Sequence, residues 1–240
     1  MANLECAVSH RGAPQPKLFV FRGTARALLA AREAGGLDAV TLANNHSGDY
    51  GRNALLDTLR NARRAGLRTF GAGRTAARAR RPRIVTRLGL RIGLIGMSDI
   101  NPPGFVAGGR SPGTAAASEA GVRRAVHRAR RAGAQVVVVY FHWGVEGQFT
   151  STARQRQLAR AALRAGAQVV LGAHPHVLEP VVRHGHSVVA YSLGNFVFAP
   201  VRPGSGRTGI LHVYLSRSGV TGVRLRRGHI VGTRPAFRSV

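Results

Sequence analysis

Val169-Val170-Leu171-Gly172-Ala173-His174-Pro175-His176 sets two histidines one residue apart directly behind an apolar run. The run has the length and branching of a buried strand, so the pair is expected where that strand ends. Neutral imidazole is the commonest metal ligand, and two histidines in this spacing can turn toward one point. An isolated His-Pro-His is as readily a pair of ordinary loop residues. Its meaning therefore depends on whether the chain repeats the arrangement.

The arrangement recurs. A helix expected from the Thr24 cap to Ala34 ends at Gly35-Gly36, and the strand Ala39-Val40-Thr41-Leu42 follows. That strand runs out into Ala43-Asn44-Asn45-His46-Ser47-Gly48-Asp49-Tyr50-Gly51. A helix over Glu119 to Ala132 stops at Gly133, and the apolar run from Gln135 to Phe141 delivers His142-Trp143-Gly144-Val145-Glu146. A third helix, about Thr152 to Ala165, stops at Gly166 and leads into the opening stretch. Such alternation implies βαβ units with parallel strands, whose carboxyl ends share one edge. Ligand sites of these sheets form outside that edge. Topology alone thus gathers His46, His142, His174, His176 and an asparagine.

Elsewhere the reading is plainer. A helix is expected over Asn53 to Arg64, a short strand over Leu67 to Phe70, and a hairpin of Arg83–Leu88 and Arg91–Met97 around Gly89. No Lys-Ser/Thr follows Gly71-Ala72-Gly73, so that turn is backbone geometry and not a phosphate loop. Residues 99–118 lack periodicity, and a loop of that length suggests a flap over the site. After Pro180 the pattern is all strand: Val181–Arg183, Ser187–Phe198, Ile210–Leu215 and Val220–Leu225, with His184 and His186 in a surface turn.

Composition narrows the classes. The 240 residues, 44% of them apolar, suit one domain with an ample core. No run of about 18 apolar residues reads as a membrane span. Met1 to Cys6 lacks the charged start and apolar middle of a signal peptide. A single cysteine, Cys6, excludes an internal disulfide. The formal net charge of +27 suits a polyanion partner, yet Lys17 is the sole lysine among 36 basic side chains. Codon bias explains so arginine-heavy a chain equally well. The arginines fall on expected helices without interleaved aromatic side chains, which argues against specific nucleic-acid binding and for attraction to acidic substrates. Only nine carboxylates occur, and Glu5, Asp49 and Glu146 each lie near an Asn or His cluster.

Imidazole nitrogens, an amide oxygen and carboxylates suit one or two divalent ions such as Mn, Fe, Zn or Co. Two ions about 3.5–4 Å apart polarise a phosphoryl or carbonyl oxygen and activate a bridging water. One histidine left off the metal serves as general acid for the leaving group. Hydrolysis is what such a set does best.

Taken in order, Asn3-Leu4-Glu5, Ala43 to Gly51, His142 to Glu146, Gly172 to His176 and Tyr191-Ser192-Leu193-Gly194-Asn195-Phe196 resemble the successive motifs of the CapA family. These are bacterial capsule-synthesis, poly-γ-glutamate biosynthesis proteins of the calcineurin-like metallophosphoesterase superfamily. The resemblance spans about residues 3–198 of a single CapA-like domain, 1–240, with 207–240 as C-terminal strands. It implies an α/β fold, a metallophosphoesterase-like four-layer α/β/β/α sandwich, with a dinuclear metal site. By motif, it implies Glu5 as bridging ligand with Asn3 beside it, Asn45 as a ligand and His46 as proton donor. His142, His174 and His176 would complete the metal shell. Asp49 and Glu146, with Asn44, would orient a histidine or bind a substrate amine or hydroxyl. Asn195 would face the same site or cap its strand.

One departure stands out. The family opens with an apolar strand ending in Gly-Asp, whose aspartate ligates the first metal. This chain starts two residues before Asn3, and none of Asp38, Asp49, Asp57 and Asp99 matches that position. The expectation is an N-terminally truncated fold with weakened binding at the first metal. Family members are commonly anchored at the cell envelope and face outward, through a segment that would precede Met1; these residues assign no compartment. The expected function is a metal-dependent hydrolase in the synthesis, release or anchoring of a capsular polyanion such as poly-γ-glutamate. Its partners would be that acidic polymer or the capsule-synthesis machinery. The alternatives are a non-catalytic scaffold of a polymer synthase, or a phosphodiesterase or phosphatase acting on a small substrate.

Overall fold

A computed structural model describes residues 1–237. The chain folds as two compact units, Met1–Arg83 with Leu94–Ala117, and Ile84–Gly93 with Ser118–Val240. Among the described residues, no helix is long and apolar enough to cross a membrane.

The first unit is built on a parallel sheet in which Ala39–Thr41 lies between Ala2–Asn3 and Arg68–Phe70. All three residues of the central strand are buried. Helices Ala25–Glu33 and Gly51–Arg64 supply the crossovers, and Thr24 caps the first by accepting from the Ala27 amide. Val8, Leu28, Val40 and Leu67 form one apolar cluster, and Leu42, Leu55, Ala72 and Phe105 another. The second cluster answers the flap expectation. Phe105 anchors the 99–118 segment in the core, Gly113–Thr114 pairs with Ala72–Gly73, and Arg52 clasps the carbonyls of Gly104 and Pro112. A segment fastened at three places is a fixed part of the unit. The glycine turn before it is tight, because a Cβ on Gly71 would sit 2.7 Å from the Ala43 Cβ, at a φ of 83°.

The second unit carries sheet strands in the order Val181–His184, Ser187–Ala190, Val169–Ala173, Val136–His142. Val136–His142 is buried at every residue, as its unbroken apolar run requires of a strand covered on both faces. It pairs in parallel with Val169–Ala173, which pairs in parallel with Ser187–Ala190. Helices Glu119–Arg131 and Ala153–Arg164 bury alanine, valine and leucine on one face. Arg123, Arg124, Arg128, Arg154, Arg156, Arg160 and Arg164 are exposed, the solvated face expected of them. Arg130 departs from this: its guanidinium donates to the carbonyls of Ala134, Gln135 and Gly166, tying together the segments that follow the two helices. Arg207–Ser216, Gly219–Val231 and Arg234–Ala236 form a separate antiparallel sheet.

The expected strand Ser187–Phe198 ends early, at Ala190. Two side chains take over where the ladder would have continued. Trp143 Nε1 donates to the Tyr191 carbonyl at 2.9 Å, and Ser192 Oγ donates to the Val177 carbonyl at 2.7 Å. The indole reaches Tyr191 by crossing over Gly172. A Cβ there would lie 2.0 Å from the Tyr191 oxygen and 2.2 Å from Trp143 Nε1, so only glycine fits.

Candidate functional site

In the first unit, strand register does the first positioning. Asn3 pairs with Thr41, so the segment leaving Asn3 runs beside the segment that leaves Thr41 for the Asn-Asn-His loop. Asn44 binds the two together and is fully buried. Its amide donates to Asn3 Oδ1 at 2.9 Å and to the Leu4 carbonyl at 2.8 Å. Its oxygen accepts from the His46 backbone at 3.1 Å and from Ser47 Oγ at 3.0 Å. Asn44 is therefore spent on structure. Asn3 in turn donates to Glu5 Oε2 at 2.7 Å, which orients that carboxylate.

His46 and Asp49 form the chemical centre of this loop. Asp49 is completely buried, and its Oδ2 accepts from the Phe21 amide at 2.6 Å and meets His46 Nδ1 at 2.8 Å. Its Oδ1 pairs with the ammonium of Lys17. Lys17 Nζ also donates to the Asn45 carbonyl at 3.0 Å and approaches His46 Nδ1 at 3.3 Å. An ionised carboxylate only accepts, and the Asp49 contact is the shorter one. The proton on Nδ1 therefore points to Asp49, and Nε2 is the ring nitrogen left for chemistry. The Phe21 ring packs on the imidazole with centroids 4.4 Å apart. Cys6, next in sequence to Glu5, is half-buried, and burial, then the charges of Asp49 and Glu5, push its thiol up to about 11.

In the second unit, His142 pairs with Ala173 across the parallel ladder, so His142 and His174 emerge side by side. Their ring centroids are 4.8 Å apart, and those of His174 and His176 are 5.9 Å apart. Both residues of the His-Pro-His pair have positive φ, 103° at His174 and 58° at His176. The φ of 58° at His176 lies in the left-handed region that histidine tolerates, whereas 103° at His174 is costly for any residue with a Cβ and makes that residue a candidate functional position. His176 is further fixed by its Nδ1, 2.8 Å from Asn195 Oδ1, and by stacking on Phe198 at 6.0 Å. Since the amide oxygen only accepts, Nδ1 carries the proton and Nε2 offers its lone pair. Asn195 thus orients a histidine; its backbone carbonyl is held by Thr208 Oγ1.

Glu146 Oε2 pairs with Arg202 at 2.7 Å. Ligand atoms of Glu146, His174 and His176 lie within 4.8 Å of one another, a spacing that suits a shared cation. Farther along, Gln155 accepts from the Thr152 amide in a capping box and donates to the buried Glu179 at 2.7 Å. Burial pushes the Glu179 carboxyl up to about 7, the Gln155 hydrogen bond pulling the other way. His184 and His186 are exposed.

Lys17, Phe21, Gln155, Glu179 and Arg202 were not among the expected site residues. Lys17 had a visible signal, as the one lysine in an arginine-rich chain, and Thr152-x-x-Gln155 has capping-box spacing. Phe21, Glu179 and Arg202 become relevant only through partners far away in sequence.

A family model described as bacterial capsule synthesis protein PGA_cap matches residues 1–200. The PGA biosynthesis protein CapA of Bacillus subtilis (strain 168) is 40% identical over 157 residues, 65% of this chain and 41% of the relative. The capsule biosynthesis protein CapA of Bacillus anthracis is 34% identical over 172 residues, 70% of this chain and 42% of the relative. The chain thus spans about two fifths of the length of these relatives. Among solved structures, the NAD nucleotidase of Haemophilus influenzae aligns with a TM-score of 0.53 at 15% identity, over 88% of this chain and 45% of that one. The fold is accordingly α/β of the metallophosphoesterase, 5'-nucleotidase-like kind.

Proposed function

Because the chain belongs to the bacterial capsule synthesis protein PGA_cap family, we propose that it is a metal-dependent hydrolase acting on a capsular polyanion, poly-γ-glutamate or a polymer of similar charge. One observation carries the reading: His174 is held in a strained backbone, and Asn195 leaves His176 Nε2 free as a donor. The ligands we assign are Glu5 and Asn45 in the first unit and His142, His174 and His176 in the second. Imidazole, carboxylate and amide oxygen together fit Mn, Fe, Zn or Co, and two ions are the number proposed. Bound there, divalent metal supplies Lewis-acid polarisation of the scissile carbonyl or phosphoryl group and acidifies a water.

The remaining steps belong to side chains. His46 is the proposed proton donor to the leaving group, with Nε2 as the atom that gives the proton. Asp49 stabilises the positive ring and fixes its orientation, much as a buried carboxylate does in other acid–base pairs. Lys17 and the Phe21 amide hold Asp49 in place for this. The exposed arginines draw an acidic polymer toward the protein by long-range attraction, which salt weakens. The partners proposed on the protein side are components of the capsule-synthesis machinery.

The test is metal analysis of the purified chain together with release of fragments from poly-γ-glutamate. His174→Ala should lose metal and hydrolysis together. His46→Ala should retain metal and lose hydrolysis by about 100-fold or more. A folded wild-type chain that binds no divalent metal, or hydrolysis untouched by either change, overturns the proposal.

A further inference from the structure

The geometry points to Glu146 as a direct metal ligand that completes a two-histidine, one-carboxylate set with His174 and His176, and that is held in reserve by Arg202. This inference rests on the metal-binding reading above and assigns Glu146 a role different from orienting a histidine or binding a substrate.

Three observations carry it. The ligand atoms of Glu146, His174 and His176 lie within 4.8 Å of one another, near enough to share one cation after small side-chain adjustments. The turn bearing Glu146 is fastened to the histidine loop itself: the Gly147 amide donates to the Pro175 carbonyl at 2.8 Å, and Pro175 is the residue between the two histidines. Glu146 therefore moves with the pair it would join. Third, His176 Nδ1 is already committed to Asn195, so the lone pair of Nε2 is the one available to a cation. Two imidazoles and a carboxylate on one side of an ion leave its other positions open for water and substrate.

The ion pair with Arg202 does not forbid this. The Glu146 side chain is 35% exposed and the Arg202 side chain 47%, so the pair is worth about fivefold at most in an equilibrium constant. A carboxylate bond to a divalent cation outweighs that. Arg202 sits in a short turn whose Ser205 hydroxyl accepts from its amide and donates to its carbonyl. The guanidinium is thus parked beside Glu146, neutralising it until a cation displaces the guanidinium. Arg202 weakens metal binding slightly and raises its selectivity for divalent over monovalent ions, since only a doubly charged competitor gains enough to break the pair.

The two roles separate in sign. Isothermal titration of the metal-stripped full chain with Mn²⁺ measures the site that His176→Ala removes. Glu146→Gln, a same-shape change on a partly exposed side chain, should weaken that site at least tenfold, the least that loss of an outer hydrogen-bond partner costs a metal site. Arg202→Met should strengthen it by up to about fivefold. With Co²⁺ in place of Mn²⁺, Glu146→Gln should also change the visible absorption bands of the bound ion, because it alters the ligand set. Mn²⁺ affinity within twofold of wild type in Glu146→Gln overturns the assignment while leaving the histidine site intact. Weaker binding in Arg202→Met overturns the reserve role. A wild-type chain that takes up no Mn²⁺ or Co²⁺ overturns the metal reading and this inference with it.

Discussion

The loop after Ala39–Thr41 and the loop after Val169–Ala173 both deliver histidines from the ends of buried parallel strands, and they are built by opposite means. Around His46, two polar side chains tie the loop together: Asn44 binds Asn3, Leu4, His46 and Ser47, while Asp49 binds Lys17, Phe21 and His46. Polar contacts hold that loop in place. Around His174, single hydrogen bonds from Gly147 to Pro175 and between His176 and Asn195 are joined by close packing and positive φ, with the Trp143 indole threaded over Gly172. A proton donor needs its neighbours' charges fixed, which hydrogen bonds achieve. A metal ligand needs its direction fixed before the ion arrives, which packing achieves. The roles proposed for His46 and His174 match those two requirements.

The sharpest way to break the packed loop is Gly172→Ala. The added methyl would fall 2.0 Å from a backbone oxygen, so either the indole leaves its hydrogen bond or the strand shifts. We expect a loss of about 3 kcal/mol, near the upper end for overpacking, seen as a fall of roughly 10 °C in Tm. An unchanged Tm would mean that the indole crossing does not hold this loop.

Glu179 is a buried carboxyl of the second unit, and pH tests it. Burial raises its carboxyl to about 7 from an ordinary value of 4.5. A carboxyl raised on folding binds its proton more tightly in the folded chain. Its stabilising share is complete below about 4.5 and is lost as pH rises from there through about 7. Glu179→Gln keeps the shape and the acceptor for Gln155. It should leave stability unchanged near pH 4 and raise it by up to about 3 kcal/mol above pH 7. Urea melts at several pH values decide the matter, and a difference that does not vary with pH would count against buried ionisation.

Much of this was legible in the sequence. Helix, glycine and apolar strand in succession located the strand ends, and the strands carrying His142 and His174 are parallel neighbours as that alternation implies. The sequence was silent about what holds the histidines. Lys17 stands 32 residues from Asp49, and Phe21 stands 28 from it, so neither contact has a local pattern. The φ of 103° at His174 contradicts every local preference and cannot be read from a histidine in a string. The 99–118 segment looked like a flap because its fastening to Ala72–Gly73 and Arg52 is long-range. The strand expected to reach Phe198 stops at Ala190 because a tryptophan 48 residues away takes the next carbonyl.

The polar loop is tested through Lys17. Lys17→Met removes the ammonium and leaves the buried Asp49 carboxylate with fewer partners, which should cost about 2 kcal/mol of stability. Arg202→Met removes a cation from a half-exposed pair in the other unit and should cost less than about 1 kcal/mol. Chemical denaturation of both variants compares them directly. Equal losses would show that the Lys17 cluster is no more dependent on its charges than a surface ion pair is.

The smallest effect separates strain from side-chain chemistry at His174. Replacing the histidine removes the imidazole whatever the new residue is, so a single variant confuses a lost ligand with a relieved backbone. The informative comparison is His174→Gly against His174→Ala. Both lose the ring and its contact with His142. Alanine keeps a Cβ at a φ of 103°, where glycine is at ease. Glycine gives back part of that advantage, because it has more freedom to lose on folding. The glycine variant should therefore be the more stable of the two by about 1 kcal/mol, and neither should hold metal at this position. If alanine proves equally stable, the backbone at His174 relaxes without cost. The loop would then be merely permissive, and the contrast with the polar loop around His46 would rest on the Trp143 crossing alone.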